Sequence, residues 1–171
     1  MNIAPLSSDL YTAALELVEE GDLNALKHLL THHTIDPNTN ESEFLRLAIV
    51  HNRAEIFAYL LPFYNKKFDN SDVLCEACSL NHTDFVLQLI AHTDPKVNQS
   101  EPLMWAARHN NIRLMDLLLP VSNVFDAIEL VNKHAPEAQD PQTQCHKGLE
   151  YLNHWLTNLL QTGKKDGRKK I

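Results

Sequence analysis

EPLMWAARHNN, residues 101–111, packs a proline, a tryptophan, two alanines and two asparagines into one short stretch. The fold turns on whether this is a single irregular helix start or one copy of a recurring unit. Upstream, LRLAIVHN places Ala48 between Leu45 and Asn52, and LCEACSLN places Ala77 between Leu74 and Asn81. LMWAARHN, inside the quoted stretch, places Ala106 between Leu103 and Asn110 in the same way. The alanines stand at steps of 29 residues. The pairs Leu60 and Leu61, Leu89 and Ile90, and Leu118 and Leu119 keep that step. An earlier copy, LVEEGDLNALKHLL, has Leu17 in the alanine place and Gly21 in the asparagine place, after a first interval of 31.

Each copy reads as two short helices. The first ends at Gly21, Asn52, Asn81 or Asn110, the two residue types that best tolerate the left-handed backbone that terminates helices. The second carries apolar residues at helical spacing: Ile56, Phe57, Leu60 and Leu61; Phe85, Val86, Leu89 and Ile90; Leu114, Met115, Leu118 and Leu119. NRAE, with Asn52 and Glu55, fits a capping box at the start of a second helix. The connectors HHTIDPNTNESE, NKKFDNSD and HTDPKVNQSEP are polar. No copy is long enough to close its own core, so neighbours must stack.

EPLMWAARHNN followed by LMDLLL resembles an ankyrin repeat, whose signature is T-P-L-H-x-A and a second helix ending in leucines. Pro102, Leu103 and Ala106 match it, while Glu101 replaces the threonine and Met104 the histidine. The ankyrin period is about 33 residues, so the shortfall to 29 falls in the connectors, where the family's β-hairpin fingers are expected to shrink to loops. The resemblance covers residues 8–120. It implies an all-α helical solenoid of about five stacked ankyrin-like helix-turn-helix repeats with shortened connectors. The expected domain is 1–162, with repeats at about 8–38, 39–69, 70–98 and 99–121 and a divergent C-terminal capping repeat at 122–162. In the last of these, VFDAIELVNKHA gives a helix, PEAQDPQTQ intervenes, and CHKGLEYLNHWLTNLL gives a longer amphipathic helix through Leu149, Leu152, Leu156 and Leu159. A cap is expected to cover one apolar face without exposing another. The rival architecture is a tetratricopeptide array, against which the four-residue gap from Ala to Gly/Asn and the extended connectors both argue.

Composition narrows the function. The net charge is −7 and the tail GKKDGRKKI, residues 163–171, carries +4, which leaves −11 on residues 1–162. An acidic body disfavours nucleic-acid binding. The tail is expected to be disordered, with weak contact to an anionic surface as its functional alternative. No run of ~18 apolar residues spans a membrane, and MNIAPLSSDLY lacks the order of a secretory signal. Three cysteines do not make a disulfide framework, so a reducing, cytoplasmic setting is expected. Cys75-x-x-Cys78 with His82 admits a zinc or redox reading. Against it, Cys78 occupies the small buried position of Ala107, while Cys75 aligns with Arg46 and Met104, near the surface. The ten histidines read as scattered polar residues without the i, i+4 clustering of a zinc helix. No Walker, Rossmann or nucleophile-elbow pattern occurs. Neither enzymatic activity nor a cofactor is expected.

The resemblance implies a protein-binding concave surface. The positions it assigns to contact are Glu19 and Glu20, Val50 and His51, Ser79 and Leu80, and Arg108 and His109. Leu47, Glu76 and Trp105 lie beside them, and the connector ends add Asn40, Phe68, Asp69, Gln99 and Glu101. Trp105 and Arg108 are the expected anchors, since Trp and Arg most often carry interface energy; the competing reading of Trp105 is a core side chain. An adaptor or inhibitor follows, and the eroded, glycine-poor repeats resemble ankyrin proteins that intracellular bacteria deliver into host cells. The alternative is a metal-binding or redox protein using Cys75, Cys78 and His82.

Overall fold

The computed structural model describes residues 8–33, 35–65 and 72–166. The chain divides into two compact units, Met1–Thr93 and Asp94–Ile171. The first unit holds α1 (Ser8–Glu20), α2 (Leu23–His32), α3 (Thr39–Val50), α4 (Ala54–Leu60), α5 (Asp72–Ser79) and α6 (Thr83–Leu89). The second holds α7 (Val97–Arg108), α8 (Ile112–Leu118), α9 (Val124–His134) and α10 (Gln144–Asp166). Helices therefore come in pairs, one pair per copy, and no strand forms among the described residues.

The turn between paired helices is the same four times. Gly21, Asn52, Asn81 and Asn110 have φ of 87°, 54°, 60° and 51°. One residue on, the N–H groups of Asp22, Arg53, His82 and Asn111 donate to the carbonyls of Leu17, Ala48, Ala77 and Ala106 at 3.0, 2.7, 2.8 and 3.0 Å. This is the 6→1 bond of a Schellman ending, and it confirms that Leu17 stands in the alanine place. It also corrects the capping box. Asn52 is spent on the left-handed position, so Arg53 takes the N-cap of α4, without a side-chain cap. Side-chain caps occur where Asp22 accepts from the Ala25 N–H and Asn111 from the Leu114 N–H.

Within the first unit α3 packs on both α1 and α5; Leu45, Ala48 and Ile49 of α3 and Leu74, Ala77 and Cys78 of α5 are all buried. Small side chains at these places let the helices approach closely. The second helices bury Ile56, Phe57 and Leu60, then Phe85, Val86 and Leu89, with the Phe57 and Phe85 rings 4.5 Å apart. Ala77 has no exposed surface, so Ala77→Leu is expected to cost roughly 1–3 kcal/mol through overpacking. Chemical denaturation measures this, and an unchanged midpoint would mean that the side chain has room.

The connectors hold a feature that the sequence reading passed over as polar loop. Asn98, Gln99 and Ser100 run three in a row with left-handed φ of 48°, 62° and 63°. Two steps earlier Asn40 and Ser42 have φ of 50° and 62°. The N–H of Ser42 donates to Asn38 and that of Ser100 to Lys96, four residues back in both cases. Each left-handed residue costs roughly 1–2 kcal/mol, least for asparagine. Burial of the two serines offsets the cost, since Ser100 Oγ accepts from the Asn123 N–H at 2.8 Å. The right-handed part of α7 then starts at Glu101, which puts Pro102 in the first turn, where its missing N–H is harmless.

The left-handed turn also aims a carboxylate. Asn40 Nδ2 donates to Glu43 at 3.3 Å, and the Tyr11 hydroxyl donates to the same oxygen while its ring packs on Phe44. Burial first, then the bond to Glu43, pushes the Tyr11 phenol up to about 12. A raised value means that the contact stabilises the fold fully below the unfolded tyrosine value near 10 and fades as pH climbs toward 12. A spectrophotometric titration should therefore find Tyr11 ionising late, as should Tyr151, which the bond to Asp116 raises; Glu43→Gln should lower Tyr11 only part of the way, because burial remains.

The last copy departs from the others. A 3-10 turn at Pro136–Gln139 separates α9 from α10, and α10 packs against α7 as well as α9. A Cβ on Gly148 would lie 1.9 Å from the carbonyl oxygen of Ala107, so α10 rests on the backbone of α7. Tyr151 donates to Asp116 on α8 at 2.5 Å. Leu149 and Leu152 are buried, but Leu159 and Leu160 are 48% and 52% exposed, and Phe125 on α9 is 56% exposed. The expected cap that exposes no second apolar face is thus corrected. At 23 residues, α10 outruns the 7 of α8 and the 11 of α9, and among the described residues its far end is left only partly covered. Helix continues through Asp166, so the basic segment expected to be disordered from 163 begins as helix; residues 167–171 lie outside the described part.

Candidate protein-binding surface

In the second unit the anchors expected from sequence come together. Asn98 Nδ2 donates to Glu101 at 3.0 Å, and the other oxygen of Glu101 accepts from Trp105 Nε1 at 3.1 Å. The left-handed turn that places Asn98 therefore orients Trp105; as at Asn40 and Glu43, the turn asparagine holds a glutamate three residues on. Arg108 lies over the Trp105 ring, 5.2 Å from its centroid, and the His109 ring is stacked with it at 6.3 Å and 24°. Arg108 Nε also donates to Glu137 at 2.8 Å. The guanidinium is thus fixed from two sides while about a third of it stays open to solvent.

Trp105 is half-buried rather than a core residue. With Met104, Arg108, Leu130, His134, Glu101 and Asn98 it lines a groove of 370 Å³ between α7 and α9. The floor is apolar and the ends are charged or polar, the composition of a pocket that accepts a side chain and fixes its orientation.

The other expected contact residues lie in the first unit. Glu19, Glu20, His51 and Leu80 are all exposed, at the C-terminal ends of α1, α3 and α5. Arg53 folds across the end of α1, its Nε donating to the Glu19 carbonyl at 2.9 Å, and packs over Gly21. It shares a shallow groove of 230 Å³ with Glu20, Asn52 and Glu55. Arg46 and Glu76 pair at 3.7 Å between α3 and α5. Arg53 was missed as a surface residue because its position next to the turn asparagine reads as a helix start. Phe68 and Asp69 lie outside the described residues.

The cysteine reading changes. Cys75, expected near the surface, is buried, as are Cys78 and Cys145. Position 75 faces inward because α5 begins only at Asp72, one turn earlier, and Val73 and Leu74 of that turn are buried with it. Burial pushes the Cys78 and Cys145 thiols up, away from the thiolate needed for metal or redox chemistry. Glu137 adds to the effect at Cys145 and Arg108 opposes it. His82 caps α6 with its ring edge-on to Phe85. Among the described residues no group of three or more His, Cys, Asp or Glu is arranged to hold a metal. The histidines are less scattered than the sequence reading held: His28 and His32 stand one turn apart on α2, rings stacked at 3.8 Å.

Paired helices closed by a left-handed turn and repeated at a fixed step define a helical repeat protein of the ankyrin type. The family model of ankyrin repeats (3 copies) matches residues 45–126, which supports an ankyrin-repeat family for this chain. No curated protein and no solved structure matches the chain. Ankyrin repeats serve in general as protein–protein interaction modules, typically without enzymatic activity. No helix among the described residues is long and apolar enough to cross a membrane.

Proposed function

We propose that this protein acts as an adaptor or inhibitor by binding another protein, with the α7–α9 groove as the centre of contact. The observation that carries this reading is the pre-set pair of Trp105 and Arg108 at the mouth of an apolar groove. An aromatic ring held by Glu101 and a guanidinium held by Glu137 lose little side-chain freedom on binding, which is what a hot spot requires. The partner inserts an apolar side chain between Met104 and Leu130 and meets the open face of Arg108 with a carboxylate or carbonyl. Glu19, Glu20, His51 and Leu80 form a second contact strip on the first unit. Under this reading, the resemblance to delivered bacterial ankyrin proteins makes a host protein the partner.

Affinity capture from cell lysate, with bound proteins identified by mass spectrometry, supplies the partner. Trp105→Ala and Arg108→Gln are each expected to weaken it by about 2 kcal/mol while helicity is unchanged. Glu137→Gln breaks the same ion pair but leaves the guanidinium in place, so it separates lost contact from lost support. A partner bound equally by all three folded variants would remove the groove from the interface.

A further inference from the structure

The far end of α10 is an exposed apolar face with no protein packed on it. Leu159 and Leu160 are about half exposed, and Trp155 and Leu156 are half-buried on the same stripe as the buried Leu149 and Leu152. Beside it, Phe125 and Lys96 join Trp155 and Leu159 around a groove of 370 Å³. From Tyr151 to Thr162 the helix contains no Asp, Glu, Lys or Arg, and the residues that follow, 163–171, carry +4 in a chain whose remainder carries −11.

We propose that this end of the second unit docks on an anionic lipid surface, with Trp155, Leu159, Leu160 and Phe125 entering the headgroup boundary. With tryptophan and leucines on one stripe and Asn, His, Thr and Gln on the other, the helix end is amphipathic, as an interfacial helix is, and its basic complement comes only from the residues that follow it in sequence. A weak apolar insertion holds a protein to a membrane only when a second signal adds to it, and a polybasic run beside the insertion supplies that signal. Charge complementarity selects the surface: residues 1–162 carry −11 and are repelled from anionic lipid, whereas the +4 segment drawn to it follows the exposed stripe directly in sequence. The inference does not depend on the α7–α9 groove, which faces its own partner.

The full chain is co-sedimented with phosphatidylcholine vesicles containing roughly a third phosphatidylserine, and with phosphatidylcholine alone. Binding to the anionic vesicles only, released by salt, is expected. Leu159→Glu with Leu160→Glu, and separately Lys164→Glu with Lys165→Glu, should each weaken it about tenfold or more. The charge variant keeps the stripe intact, so it remains informative if the leucine variant is misfolded by circular dichroism. Three results would overturn the proposal: no sedimentation with anionic vesicles, equal binding to both vesicle types, or full binding by the charge variant. A dimer in solution that is dissolved by the leucine variant, without vesicle binding, would assign the stripe to a second copy instead.

Discussion

Gly148→Ala is expected to destabilise the protein by about 3 kcal/mol or more. On helix propensity alone the change should help, since alanine in a helix interior is favoured over glycine by about 1 kcal/mol. Packing reverses the sign. The new Cβ would fall 1.9 Å from the Ala107 carbonyl oxygen and 2.7 Å from its carbon, and both are backbone atoms of α7 that cannot swing aside. Relief requires α10 to lift away, which uncovers Leu149, Leu152 and Cys145. It would also pull on the segment bearing Arg108 and Glu137. A lower urea midpoint, together with reagent access to the Cys145 thiol, is the expected result. A midpoint equal to or above that of the wild type would sink the placement of α10 on α7.

Phe57→Ala should cost about 3–5 kcal/mol. The ring is wholly buried and meets Phe85, itself 4% exposed, at 4.5 Å and 36°. The pair joins the second helices of adjacent copies, so its loss removes both core volume and the contact that couples neighbours. In a repeat stack that coupling is a large part of stability. A double-mutant cycle with Phe85→Ala should return a coupling of about 0.5–1.5 kcal/mol. Additive effects would mean that the two rings do not touch.

How much of this was written in the chain can be judged residue by residue. Gly21, Asn52, Asn81 and Asn110 were readable because a left-handed helix end admits few residue types, so the same constraint leaves only glycine or asparagine at each turn. The alanine and leucine positions were readable because helical periodicity repeats with them. The left-handed run at 98–100 was not, since asparagine, glutamine and serine in a row also describe any polar loop. Cys75 was misplaced because alignment to Arg46 and Met104 transfers an average environment, whereas burial depends on where each helix begins.

The candidate surface divides in the same way. That Trp105, Arg108 and His109 are near one another follows from their places on one helix. The Glu101–Trp105 bond, four residues apart on that helix, is local as well; that Glu137 holds the guanidinium and that Leu130 closes the groove is not, because those contacts depend on where α9 and the cap at 136–139 fold back. The sequence by itself determined the class of fold, its step and its turn residues, since these are local requirements that each copy must satisfy alone. Only tertiary structure decided which side chains are fixed, which groove is open, and that α10 reaches beyond its neighbours. Those outcomes arise from contacts between segments far apart in the chain, and no local pattern records them.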